Sequence, residues 1–239
     1  MSDLIAPRGD IAGLAASYRA NGRVVVPGLM RADVAARLGR ALQEWPQWAL
    51  VTRIGGQHRD FDAREMARMD PVRTAAFDDL VGAEARKGFQ YLYERWPLSD
   101  PDYDVRLDVP DLEAVRQMLR GEDFIRLARE VTGHDGIAFA DGQLTRYRRG
   151  HFLTDHDDEA EGKHRIAAYV LGMTPDWKPD YGGQLQFLGE DHASVVEVLV
   201  PGFNTLSIFA VPQPHLVSAV ASFVQASRLS ITGWLRQAG

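Results

Sequence analysis

The run GHFLTDHDDEAEGKH, residues 150–164, crowds acids and histidines into one short stretch at the point where the texture of the chain changes. A charge run is ordinarily a solvated face, so the question is whether the HDD at its centre holds a metal. Downstream of Gly136 the segments GIAFADGQLTRY, HRIAAYVLGM, GGQLQFL, SVVEVLV, NTLSIFAV, HLVSAV and RLSITGWLR are short and rich in β-branched or aromatic residues. Gly, Pro, Asn and Asp separate them. That spacing predicts an antiparallel sandwich or barrel. Upstream, the apolar positions follow helical periodicity in DIAGLAASYRANG, RADVAARLGRALQEW, PVRTAAFDDLVGAEARKGFQYLYERW, DLEAVRQML and EDFIRLAREVTG. Asp10 stands where an N-cap belongs and Gly133 where a C-cap belongs, and RVVVPG is a short strand between the first two helices. The expectation is a single domain over 1–239, mainly β with flanking helices (α+β). Residues 1–135 form a helix-rich part packed outside a β-barrel-like core at 136–239. PLSDPDYD, 97–104, is the most loop-like segment within the helical part.

Composition removes several function classes. The 239 residues contain no cysteine, which excludes disulfides, thiolate metal sites and cysteine nucleophiles, and a reducing cytoplasm fits. A formal charge of −6 gives no electrostatic reason to expect nucleic acid or an anionic membrane as partner; RYRR at 146–149 is the one candidate basic patch. The N-terminus shows no basic segment followed by an apolar core, so no leader is expected, and no apolar run approaches the roughly 18 residues of a membrane span. No sustained heptad seam is present, so the oligomeric state is not legible.

In a strand, residues i and i+2 share a face, so His156 and Asp158 can converge on one ion while Asp157 points away. One imidazole and one carboxylate leave the site incomplete, and His215, opening HLVSAV, is the partner in the strand-rich half. Two histidines and a carboxylate on one face of an octahedron suit non-haem iron(II) and leave positions open for a co-substrate and oxygen. A second H-x-D, His58-Arg59-Asp60, lies among segments read as helical and is taken as a chance occurrence.

Arg228, Ser230, Thr232 and Trp234 alternate to one face of a strand. If that face points inward, a guanidinium enters an apolar barrel, which is costly unless it is paired. A bidentate carboxylate ligand is the natural partner. Iron ligands and a carboxylate-binding arginine in this order describe a site for iron and a dicarboxylate such as 2-oxoglutarate.

The segments YRRGHFLTDHDDEAEGKHRIA, YGGQLQFL, LVPGFNTLSIFAV and SRLSITGW resemble the iron(II)/2-oxoglutarate oxygenases of the prolyl-hydroxylase type, and most closely the ribosomal prolyl hydroxylases. VVVPGLMRADVAARL is more loosely similar to that family's entry strand and helix. The resemblance implies a double-stranded β-helix with Fe(II) held by His156, Asp158 and His215. It implies 2-oxoglutarate bound by Arg228 with Tyr147, O2 as co-substrate and ascorbate as reductant. It also implies hydroxylation of an unactivated C–H, foremost in a prolyl residue of a protein. The alternatives are a free amino acid or small metabolite as substrate, a barrel enzyme with another metal, or a non-catalytic cupin-like module binding an acid or a metal. The family's second co-substrate tyrosine aligns with Leu171, so Tyr169, two residues earlier on the same face, is its expected substitute. Ser230 and Thr232 are further candidate co-substrate contacts. Eukaryotic members continue into a second barrel domain, and the expectation here is a chain without one. TRIGGQHRDF, 52–61, is expected to form a mobile rim loop.

Overall fold

The structure, a computed structural model, describes residues 4–100 and 107–238. Thirteen strands form one antiparallel sheet, with six helices among the described residues. In chain order the elements open with α1 (Ile11–Asn21), β1 (Arg23–Pro27) and α2 (Ala32–Glu44). β2 (Ala49–Ile54), β3 (Gln57–Asp62), α3 (Ala63–Met66), α4 (Pro71–Ala85) and β4 (Tyr91–Ser99) follow. After α5 (Pro110–Arg120) and α6 (Glu122–Thr132) come β5 (Ile137–Ala140), β6 (Gly142–Tyr147), β7 (Phe152–His156) and β8 (Arg165–Met173). β9 (Leu185–Leu188), β10 (Val195–Leu199), β11 (Phe203–Ala210), β12 (His215–Val217) and β13 (Arg228–Gln237) complete the fold.

The strand order is β1-β11-β8-β13-β6-β4-β7-β12-β9-β10, and β4 joins the two halves by pairing with both β6 and β7. The ends of that order return toward each other, because Arg23 on β1 forms an ion pair with Glu197 on β10. The sheet is therefore curled into a half-barrel with two unlike faces. Alternation sends Leu144, Leu171, Ile208, Leu229 and Ile231 outward, where they pack with Leu38, Met118 and Phe124 of the helices. The opposite face turns Ala168, Leu185, Phe187 and Phe209 inward. Gly233 lies where β13 changes partner from β6 to β5. A Cβ there would stand 2.1 Å from the Asp141 carbonyl, so only glycine admits the crossing.

The helices lie outside the sheet, as their periodicity predicts, and Gly133 closes α6 in the left-handed conformation. Asp10 makes no capping bond to α1; its carboxylate is taken by Arg8 instead. The larger difference is that the first 135 residues contribute three strands, β2, β3 and β4, beyond the expected β1. The third expected helix ends at Ala85, and FQYLYERW is extended because its aromatic residues alternate and pack as a strand of the barrel. TRIGGQHRDF is a β-hairpin, not a loose loop. Gly55 and Gly56 both take positive φ, as a two-residue turn of this kind requires, and Glu84 of α4 accepts from the Gly55 N–H. Of PLSDPDYD, 97–104, the first three residues close β4, and 101–104 lie outside the described residues. The RYRR patch is partly neutralised, since Glu94, wholly buried, pairs with both Arg146 and Arg148.

Candidate iron and co-substrate site

β7 and β12 pair so that His156 lies directly opposite His215, with ring centroids 4.1 Å apart. Asp158 completes the group: its Oδ1 is 3.5 Å from His156 Nε2 and its Oδ2 3.5 Å from His215 Nε2. One ligand atom from each lies within 4.8 Å of the others. Both tautomers follow from the backbone. His156 Nδ1 donates to the Thr154 carbonyl at 3.0 Å and His215 Nδ1 to the Gln213 carbonyl at 2.7 Å, so each Nε2 presents a lone pair toward Asp158. Burial holds the His215 imidazole down to about 4, neutral and ready to ligate. Burial also pushes the Asp158 carboxyl up, but the charge of Arg165 and the facing imidazoles of His156 and His215, whenever either is protonated, outweigh it and keep it below the ordinary range.

Asp158 does not reach this position by strand alternation. β7 ends at His156, and Asp158 sits in a turn at φ 65°, a left-handed conformation that aspartate tolerates better than most residues. The Asp157 carboxylate accepts from the Glu159 N–H at 3.0 Å, and Arg165 donates to the Asp158 carbonyl at 2.7 Å. Arg165 is itself laid 3.6 Å over the Trp234 ring. The turn is thus built from local side chains, and it returns the carboxylate to the histidines.

A cavity of about 580 Å³ runs from the triad to Arg228. Arg228 is 4 % exposed, its Nη1 has no hydrogen-bond partner, and no carboxylate among the described residues pairs with it. Its one electrostatic compensation among the described residues is the Tyr147 ring, 4.9 Å from the guanidinium carbon. Burial lowers the affinity of Arg228 for its proton and raises that of the Tyr147 hydroxyl, which stays a neutral donor. This donor set fits the distal carboxylate of a dicarboxylic acid whose other end reaches the triad. Two imidazole nitrogens and one carboxylate likewise fit Fe(II) with open positions.

The remaining candidates divide. Thr232 faces the cavity beside Arg228 and Tyr147. Ser230 is fully buried, and its hydroxyl is taken by Thr145 at 2.8 Å. Tyr169 is a correction. Along β8 it borders the cavity, but its cross-strand partner is Gly233, with Leu171 opposite the outward Ile231. That parity sends its ring to the helix side, where it packs on Phe124 and donates to the Asp141 carbonyl at 2.8 Å. Ala168 and Val170 face inward instead. His58 does not join the triad; it sits at the cavity rim, bonded to the Tyr91 hydroxyl at 2.5 Å and 2.9 Å from Asp60. Trp234 lines the cavity on the face expected for it, and Arg165 and the aromatics Phe89, Tyr91 and Tyr93 line it without a sequence expectation. The period of two in Phe89, Tyr91 and Tyr93 was their signal.

Residues 142–236 match the family model described as the 2OG-Fe(II) oxygenase superfamily. Among curated proteins, "Prolyl 3-hydroxylase OGFOD1" of Mus musculus is 36% identical over 131 residues, covering 52% of this chain. The matched stretch spans only 23% of that relative's length. Among solved structures, a Pseudomonas putida prolyl-4-hydroxylase superposes with TM-score 0.60 at 21% identity, covering 96% of this chain and all of the other. A Trichoplax adhaerens prolyl hydroxylase in complex with a hypoxia inducible factor peptide superposes with TM-score 0.60 at 16% identity, covering 95% and 89%. Both structural likenesses bear out the double-stranded β-helix expected from the strand-rich half. The match to the family thus lies in residues 142–236, and the likeness over the whole chain is one of fold.

Proposed function

We propose that this chain is an Fe(II)- and 2-oxoglutarate-dependent dioxygenase that hydroxylates a prolyl residue of a protein. The observation that carries the reading is the unpaired guanidinium of Arg228, buried in the same cavity as His156, Asp158 and His215. A buried charge without a partner is destabilising, and a ligand carboxylate removes that penalty. A cupin-like binding module has no need of this guanidinium together with an intact triad, nor does a metallo-barrel that works without a 2-oxo acid.

Arg228 and the Tyr147 hydroxyl anchor the far end of 2-oxoglutarate, and Thr232 borders the same end. The carbonyls of Thr154 and Gln213 hold both imidazoles in the ligating tautomer. Arg165 fixes the backbone of the Asp158 turn, so the carboxylate meets the metal without reorganising. Bound there, Fe(II) and 2-oxoglutarate supply the activation of oxygen, with succinate and carbon dioxide as co-products. The inward apolar residues Ala168, Phe187 and Phe209 keep the centre dry. No side chain is required as a general base, and none is assigned.

The substrate class rests on the curated relatives, whose name also gives C3 as the position attacked. The test is mass spectrometry of a proteome digest incubated with enzyme, Fe(II), 2-oxoglutarate and ascorbate. The reading expects new 3-hydroxyproline that is absent with Asp158→Ala. Succinate formed with free amino acids but never with prolyl peptides would replace it with the small-metabolite reading.

A further inference from the structure

Beyond the triad and the Arg228 end, the cavity has a third wall, and it is aromatic. Phe89, Tyr91 and Tyr93 alternate onto one face along the start of β4, while Gln90, Leu92 and Glu94 are buried on the other. Centroid distances are 5.6 Å from Phe89 to Tyr91, 5.6 Å from Tyr91 to Tyr93 and 5.1 Å from Tyr93 to Tyr147, on which it is stacked. The wall therefore runs unbroken from the co-substrate end to the mouth. There Phe89 is 42% exposed, with its ring 5.4 Å from that of His156.

This wall is rigid. The Gln90 side chain accepts from the Arg53 N–H at 3.0 Å and donates to the Arg53 carbonyl at 2.9 Å, and the Gln90 backbone N–H donates to the Thr154 hydroxyl at 2.8 Å. The Tyr91 hydroxyl is held by His58, which is oriented by Asp60. Phe89 packs against the Arg53 guanidinium, 5.2 Å from its ring centre, and against His156, yet keeps much of its ring open to the mouth. Two adjoining ring faces, preset and open to the mouth, suit a flat apolar ring rather than a flexible chain. A pyrrolidine ring is rigid, carries no backbone N–H, and offers C–H groups to the electron-rich faces of aromatic rings, which is why proline docks on aromatic surfaces.

We infer that Phe89 and Tyr91 form the subsite that seats the substrate's target ring by face contact beside His156, and that they select proline over acyclic residues. This inference rests on the hydroxylase reading above.

The test uses the full chain loaded anaerobically with Mn(II) and 2-oxoglutarate. The probes are two pools of capped heptapeptides identical except for proline or alanine at the centre. Wild type should bind the proline pool about fivefold more tightly, the value of one good ring contact. Phe89→Ala and Tyr91→Ala should bring the ratio to about one, whereas Tyr91→Phe, which keeps the ring and loses the bond to His58, should retain most of it. A ratio unchanged in both alanine variants overturns the inference, as does a wild type with no preference for proline. The oxygenase reading is tested separately in the same samples, through 2-oxoglutarate binding by wild type and its loss in Arg228→Ala.

Discussion

Replacing Arg228 by methionine should make the ligand-free protein more stable while removing its response to 2-oxoglutarate. The guanidinium is buried, its Nη1 lacks a partner and no carboxylate among the described residues neutralises it. The effective penalty for a buried ion is several kcal/mol. The Tyr147 face 4.9 Å away returns about 1–2 kcal/mol of that. Methionine keeps the apolar stem and drops the charge, so the net gain is about 2 kcal/mol, or roughly 4–8 °C in Tm for a chain of this size. In wild type, 2-oxoglutarate at a hundred times its Kd should contribute about 2.7 kcal/mol. In Arg228→Met that increment should vanish. Differential scanning calorimetry of both proteins, with and without 2-oxoglutarate, reads all four values. A methionine variant less stable than wild type in the ligand-free state would refute the reasoning, because it would mean the guanidinium has an internal partner.

Three further outcomes follow from particular residues. Asp158→Ala should abolish succinate formation in a coupled assay, since it leaves two imidazoles and no anionic ligand; retained turnover would mean the metal sits elsewhere. Glu94→Gln should cost about 1–3 kcal/mol in urea unfolding, because it weakens the charge-assisted hydrogen bonds to Arg146 and Arg148, both of which stay partly open to water; a loss below about 0.5 kcal/mol would show that water already compensates them. Burial and the Arg148 charge hold the His151 imidazole down to about 3, so the unfolded chain takes up a proton below about pH 6.5 that the folded chain refuses until about pH 3. This group's stability is therefore full above pH 6.5 and is lost as pH falls, by about 2 kcal/mol between pH 7 and pH 5. His151→Phe should remove that share of the acid sensitivity, and an unchanged pH slope would show that His151 is not its source.

The strands after Gly136 were legible because β-branched runs punctuated by glycine and proline have few other uses. Arg228 stood out because a charge on an otherwise inward face demands a reason. What lay hidden was hidden by pairing. FQYLYERW satisfies a helical stripe and a strand alternation at once, and only its placement between β6 and β7 decides for the strand. Tyr169 looked right by spacing, yet facing depends on the partner strand, and opposite Gly233 it turns to the helices. His156 and Asp158 were matched by an argument from strand alternation, whereas the turn after β7 is what brings them together. His58 was set aside as a chance H-x-D because its place at the rim depends on a hairpin that reads in sequence as a mobile loop.

The central claim is that the triad and Arg228 together hold Fe(II) and 2-oxoglutarate. The most direct measurement is an anaerobic titration of the purified chain with both, followed by visible absorption for the weak charge-transfer band of a metal-chelated 2-oxo acid. The account predicts a band that saturates at one iron per chain and is lost in Arg228→Ala at the same 2-oxoglutarate concentration. Iron bound without a band, or a band indifferent to Arg228, would contradict it.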